Sequence, residues 1–242
     1  MSNRYVIFPL VAGIVAVGGI ALGRRAVVHM GKQPDGTFVV SSGQRIEAGT
    51  IAFDGRPVDL ALHPNGSVVA VLGQNKIFLV NKSGVIANTD VPLGAGASSQ
   101  GLIWNTTGTR LYASVSNGTI VEATYENDKL EKARTFTPKP ADAKGNPRPA
   151  GLALTRDGKT LYAACIDRNA IAELSLESGQ FVKEYKSENL PFDVKLSTHE
   201  SMLLASNWGG RIAPEEDETL EAAGAVIVVR PYGGTATGSV SR

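Results

Sequence analysis

The chain has 242 residues, of which 43% are hydrophobic, 19% charged and 6% aromatic, enough apolar content to bury a substantial core and too much for a disordered chain. Twenty-four Lys and Arg balance 23 Asp and Glu to a net charge of +1, which gives no reason to expect nucleic acid as a partner. The single cysteine, Cys165, excludes an internal disulfide and any multi-thiolate metal site, while 27 Gly and 12 Pro indicate frequent turns.

The first element is an uncharged apolar run from Tyr5 to Gly23, bounded by Arg4 on one side and by Arg24 and Arg25 on the other. One basic residue, an apolar stretch and the small-residue triplet Ala21-Leu22-Gly23 fit a secretory signal peptide. A run of this length also approaches the roughly 20 residues that cross a bilayer as a helix, so an uncleaved signal anchor stays open. Either form predicts an extracytoplasmic protein, periplasmic or secreted, with membrane contact confined to residues 5–23. Residues 1–34 are thereby set apart as leader and short linker.

From residue 35 to 242 no stretch carries a 3.6-residue apolar period. Short runs of Val, Ile, Leu, Phe and Ala are instead bounded by Asx-Gly, Ser-Gly or Pro, the pattern of β-strands joined by tight turns. One segment recurs. Arg56-Pro57-Val58-Asp59-Leu60-Ala61-Leu62-His63-Pro64-Asn65-Gly66 returns as Arg148-Pro149-Ala150-Gly151-Leu152-Ala153-Leu154-Thr155-Arg156-Asp157-Gly158. A weaker copy runs from Ser98 to Gly108 and another from Leu190 to Glu200. With Gly66, Gly108, Gly158 and Glu200 aligned, the spacings are 42, 50 and 42, the period of four-stranded propeller blades. Each copy is followed by two predicted strands: 67–72 and 77–80, 110–115 and 119–123, 160–166 and 170–174, 202–206 and 225–229. The segment 125–147, rich in Lys, Glu, Pro and Asn, reads as an excursion between blades that accounts for the longer spacing. The expected fold is an all-β propeller of four-stranded antiparallel blades, with about four to five blades over residues 35–242.

A proline-led strand, an Asx-Gly turn and a Leu-Tyr-Ala strand (Leu111-Tyr112-Ala113, Leu161-Tyr162-Ala163) together resemble the YVTN-repeat propellers, the YncE-like and lactonase-like families. Ser206-Asn207-Trp208-Gly209-Gly210-Arg211 and the opening segment Gly36–Ile46 resemble the YncE-like subset that precedes an alkaline-phosphatase-like phosphoesterase domain in longer proteins. The resemblance implies a seven-bladed ring, of which this chain holds an incomplete, N-terminal part, and a fused phosphoesterase domain downstream. It leaves two functional readings: an exported binding or scaffold module for a ligand or protein partner, or a lactonase-like hydrolase using residues of the central channel.

Asp59 and Asp193 share one repeat position, two residues after the blade-leading proline, where the other copies carry Gly101 and Gly151. At the start of an innermost strand, paired carboxylates could hold a divalent cation or serve as acid and base, with Arg56 and Arg148 beside them. Alternatively each Asp caps a turn by accepting from backbone N–H groups. Trp208, between Asn207 and the flexible Gly209 and Gly210 with Arg211 next, either exposes its indole for binding or packs over the adjoining blade. Trp104 falls in a strand pattern and is expected in the core. The acidic stretch 214–218 lacks the ligand spacing of a calcium loop. His29, His63 and His199 occupy unrelated repeat positions, so no shared metal site follows. His63 and His199 are expected exposed or capping at turns, and Cys165 buried and inert. No nucleophile elbow, phosphate loop or dinucleotide fingerprint is present, so no cofactor is expected beyond a divalent cation.

Overall fold

The computed structural model describes residues 29–46, 51, 53–87, 89–209, 225–229 and 235–238. The chain divides into two compact units, Met1–Thr50 and Ile51–Arg242. In the first unit, β1 (Gly31–Lys32), β2 (Phe38–Val39) and β3 (Arg45–Ile46) form a small antiparallel sheet. Its first turn is organised by Asp35, which accepts from the amide and hydroxyl of Thr37 and pairs with Arg45. The apolar run 5–23 lies outside the described residues. Within them, no helix is long and apolar enough to cross a membrane.

Among the described residues, the second unit holds four antiparallel sheets. The first contains β4 (Pro57–Leu62), β5 (Val69–Gly73) and β6 (Lys76–Asn81), edged by two short strands, β7 (Gly84–Val85) and β8 (Val91–Pro92), both paired to β6. The second runs through β9 (Ala97–Trp104), β10 (Arg110–Val115), β11 (Ile120–Glu126) and β12 (Lys129–Phe136). The third has β13 (Pro149–Leu154), β14 (Thr160–Cys165), a single 3₁₀ turn at Ile166–Arg168, β15 (Ala170–Ser175) and β16 (Phe181–Lys186). The fourth has β17 (Pro191–Leu196), β18 (Leu203–Asn207), β19 (Ala225–Val229) and β20 (Thr235–Gly238). Spatial order follows chain order in each sheet, and the first strands β4, β9, β13 and β17 neighbour one another in sequence. These are four consecutive blades of a β-propeller, with the first strands innermost.

The aligned turn residues explain the repeat. Gly66, Gly108, Gly158 and Glu200 all have positive φ, and each donates its N–H to the carbonyl three residues earlier. Glycine takes that conformation without steric cost, and in blade four Glu200 takes it at φ +56°.

Apolar side chains fill the spaces between blades. Leu72, Ile77 and Leu79 meet Leu102, Trp104 and Leu111 between blades one and two. Tyr112, Ile120 and Phe136 meet Leu152, Leu161 and Leu174 between two and three, and Tyr162 and Ile171 meet Val194 and Leu203 between three and four. Full burial of one such side chain contributes about 1.5–3 kcal/mol, so the stacked faces dominate the stability of the unit. On the outer face of blade one, Leu60 and Leu62 are 60% and 63% exposed, whereas Leu102 and Trp104 at the same repeat positions of blade two are buried.

One expectation changes. The segment 125–147 is only partly an excursion, because its first half completes β11 and forms β12, the outer strand of blade two. Only Leu130 and Phe136 of β12 are buried while Lys129, Glu131 and Lys132 face solvent, as befits an outermost strand. His63 takes the capping alternative, and it does so buried rather than exposed. Its Nδ1 accepts from the Asn65 amide, so Nε2 is left to donate to the Gly108 carbonyl at 3.0 Å. The ring meets Trp104 and Tyr125 edge-on, and a Cβ at position 108 would overlap it, so Gly108 makes room for a histidine that joins two blades. His199 is exposed, as expected.

Cys165 is fully buried, and burial pushes its thiol from the ordinary 9.0 up to about 12. Tyr112 is pushed from 10.0 to about 12 by burial and then by the charge of Glu122, and Tyr125 reaches about 12 through burial and its hydrogen bond to Asp128. As pH rises from about 9 toward 12 the unfolded chain therefore loses protons that the folded chain keeps, and stability falls over that window. Melting temperature measured between pH 8 and 11 should decline, less steeply in Tyr125→Phe; a flat profile identical in both proteins would contradict this. The native Cys165 should meanwhile resist alkylation at pH 8.

Candidate functional site

The residues singled out by the repeat gather where the inner strands begin, and each inner strand is irregular there. In blade one Pro57 pairs with Gly73 but Asp59 with Leu72, leaving Val58 unopposed. In blade four Pro191 pairs with Asn207 and Asp193 with Ser206, leaving Phe192 unopposed. Blade three sets Ala150 and Gly151 against Ala164 alone, and blade two sets residues 98–101 against Ser114. Such bulges bend the strand and re-aim its side chains, and here all four blades carry one at the same repeat position. The proline that opens three of the copies has no N–H to place in the ladder.

At that position the structure separates two aspartates that are equivalent in sequence. Asp59 Oδ2 accepts from the Gly101 and Leu102 amides of blade two, at 2.9 and 3.0 Å, and Oδ1 accepts from the Leu60 amide. Its carboxylate ties blade one to blade two. Asp193 accepts from its neighbour, the Val194 amide, at 2.9 Å, and its Oδ1 lies 3.3 Å from Lys195 Nζ. Its side chain is one-third exposed, 32%. Its backbone packs against Gly151, where an added Cβ would come within 2.6 Å of the Asp193 Cα.

Gln100, which repeat arithmetic does not mark, reaches over Gly151 and donates to the Phe192 carbonyl of blade four at 3.4 Å. The only sequence signal for it is the small residue at position 151. Gly101 is likewise needed for close approach: an added Cβ would overlap the Ala150 carbonyl and come within 2.5 Å of Ser114 Oγ, which itself donates to that carbonyl at 2.7 Å.

Arg148 precedes the proline of blade three with φ +44°, an uncommon conformation for a non-glycine residue. Its amide donates to Asn146 and its Nη2 pairs with Asp167 at 2.6 Å, while Nε is buried without a partner. The corresponding residue of blade two, Ser98, has its hydroxyl buried and unpartnered as well. Arg56, at this position of blade one, is exposed.

Asn207 is buried and accepts from the Ser187 hydroxyl at 2.5 Å, anchoring the loop that follows β18. Trp208 donates its amide to the Leu190 carbonyl and Gly209 donates to that of Asn189. A Cβ on Gly209 would meet Asn189 and Leu190 at 2.9 and 3.2 Å, so glycine lets the loop lie flat on the preceding connection. Trp208 is 76% accessible, its ring 5.0 Å from that of Phe192. Gly210, Arg211 and the acidic stretch 214–218 lie outside the described residues. Trp104 is in the core, with its indole N–H donated to the Ala61 carbonyl of blade one.

Asp59 is occupied by backbone donors, and among the described residues no three His, Cys, Asp or Glu side chains gather where a metal ion could be held. What the mouth of the inner strands offers is a partly exposed carboxylate, a lysine beside it, and an aromatic pair one bulge away.

A family described as a lactonase, seven-bladed β-propeller, matches residues 59–209. No curated protein matches the chain. Among solved structures, the periplasmic gluconolactonase PpgL of Pseudomonas aeruginosa superposes with a TM-score of 0.62 at 19% identity, covering 86% of this chain and 65% of that one. A putative 6-phosphogluconolactonase from Bacteroides uniformis gives 0.58 at 16% identity, covering 83% and 62%. The hydrazine synthase of Kuenenia stuttgartiensis gives 0.58 at 17% identity, covering 76% and 48%. At these identities the likeness is one of fold, and the chain spans between about half and two thirds of the length of these structures.

Proposed function

Because the chain belongs to the family of seven-bladed lactonase propellers, we propose that it takes part in lactone hydrolysis at the mouth of the inner strands, with Asp193 as general base. The observation that carries this reading is the grouping at the start of an inner strand of the Asp193 carboxylate, Lys195 Nζ 3.3 Å from it, and the Phe192–Trp208 ring pair one bulge away. In the proposed reaction Asp193 removes a proton from water as the water oxygen attacks the lactone carbonyl carbon. The ring C–O bond then breaks, and the departing alkoxide recovers a proton to leave a hydroxy acid. Lys195, 3.3 Å from Asp193, supplies positive charge against the oxyanion that develops on the carbonyl. Trp208 and Phe192 offer an apolar surface to the carbon face of the ring.

The test compares Asp193→Asn with Asp59→Asn on a panel of γ- and δ-lactones, following acid release. Asp193→Asn should lower kcat by at least about a hundredfold, as loss of a general base does. Asp59→Asn should keep kcat per folded molecule and melt at a lower temperature. Equal rates in Asp193→Asn and the unaltered protein would overturn the assignment.

The exposure of Trp208 favours a second reading, a module that binds a ligand or protein partner through the loop after β18 without turning it over. Quenching of Trp208 fluorescence by a lactone or sugar acid, lost in Trp208→Ala and unaccompanied by hydrolysis, would select it.

A further inference from the structure

At the other end of the blades from the bulges, a cleft of about 270 Å³ opens between blades two and three, lined among others by Arg110, Tyr112, Arg134, Lys159, Leu176 and Glu177. Beneath it Glu122 of β11 is fully buried. Its two oxygens accept from Arg110 Nη1 and, at 3.0 Å, from Arg134 Nε. Arg134 also donates Nη2 to the Leu176 carbonyl of blade three at 2.7 Å and lies over the Phe136 ring at 5.0 Å. Both guanidinium groups are thus held in place from the protein side, yet their side chains remain 45% and 39% exposed.

Immobilising two arginines on a buried carboxylate meets in advance the entropic cost that weakens most surface ion pairs. Arg110, Arg134 and Lys159 are the cationic side chains of the cleft, with Glu122 taken up by the two arginines, Glu177 among the lining residues and Asp157 close to Lys159. The planar fork of a guanidinium matches a carboxylate in shape and hydrogen-bonding pattern. We propose that this cleft binds the carboxylate group of a small organic acid, with Arg110 and Arg134 as its hydrogen-bond donors and Lys159 as a further cation. The site is separate from the mouth of the inner strands and does not rest on the reading given to Asp193.

Isothermal titration calorimetry with sodium acetate, sodium gluconate and sodium phosphate, at constant ionic strength and pH 7, tests it. Saturable binding of acetate or gluconate is expected. Lys159→Gln should weaken it by about fivefold, and Glu177→Gln should tighten it by a similar factor, the scale of one partly exposed charge pair. Lys159 and Glu177 are both exposed and stand outside the ion pairs to Glu122, so neither variant should unfold the protein. The proposal is overturned by an absence of saturable binding, by equal affinities in both variants and the unaltered protein, or by phosphate binding more tightly than either carboxylate.

Discussion

Replacing Gly101 with alanine should lower the melting temperature by about 10 °C, corresponding to about 3–5 kcal/mol in a domain of this size. Two effects add. At φ +116° any L-residue is strained, and the new methyl group would fall on the Ala150 carbonyl, part of the inner strand of the next blade. That carbonyl also accepts the Ser114 hydroxyl, so relief by movement of β13 breaks a buried hydrogen bond. Gly158→Ala separates the two effects. Gly158 has φ +69° but nothing near its missing side chain, so its replacement should cost only about 1 kcal/mol. Thermal melts of the two variants give the answer directly. If they melt together, close approach of the inner strands is not what Gly101 serves.

Glu122→Ala should be nearly as damaging, at about 3 kcal/mol, toward the lower end of the cost of breaking a buried ion pair because the two arginines reach solvent with part of their length. The loss has a specific signature. In a protein already carrying Arg110→Met and Arg134→Met, the same substitution should cost much less, because no orphaned cations remain. Urea unfolding of the four proteins in this cycle measures the coupling. A cost below about 1 kcal/mol for Glu122→Ala alone would mean that the triad contributes little to holding blade two against blade three.

The propeller was legible because one conformational demand recurs at fixed intervals. Gly66, Gly108, Gly158 and Glu200 each turn the chain from the first strand of a blade into the second with positive φ, and residues able to do this stand out. The strands β10 and β14 were equally clear, since buried second strands read as short, largely apolar runs. β12 was missed because an outer strand needs only one apolar side, and Leu130 and Phe136 are too far apart to announce it among charged neighbours. At the site, the register position of Asp59 and Asp193 could be read, but their difference could not. It depends on whether backbone amides of another blade face the carboxylate, which is a property of blade stacking and not of either residue. Gln100 and Glu122 escaped for a related reason. Their partners lie 92 residues away in one case and on two neighbouring strands in the other, and only the folded sheets bring them together.

Each sheet in the described blades is assembled from one continuous stretch, Ala97 to Phe136 in blade two and Pro149 to Lys186 in blade three, with strands paired to near neighbours in the chain. In these two blades pairing therefore does not wait for a distant segment, and the loop-closure entropy for each ladder stays that of a hairpin however many blades precede it. During synthesis such a chain can lay down its sheets in the order they emerge, each completed blade offering the next an apolar wall. The link made by Asp59 then acts as a latch, thrown only when Gly101 and Leu102 have been added. Vectorial growth of this kind ties the speed of folding to the length of a blade and not to the length of the protein.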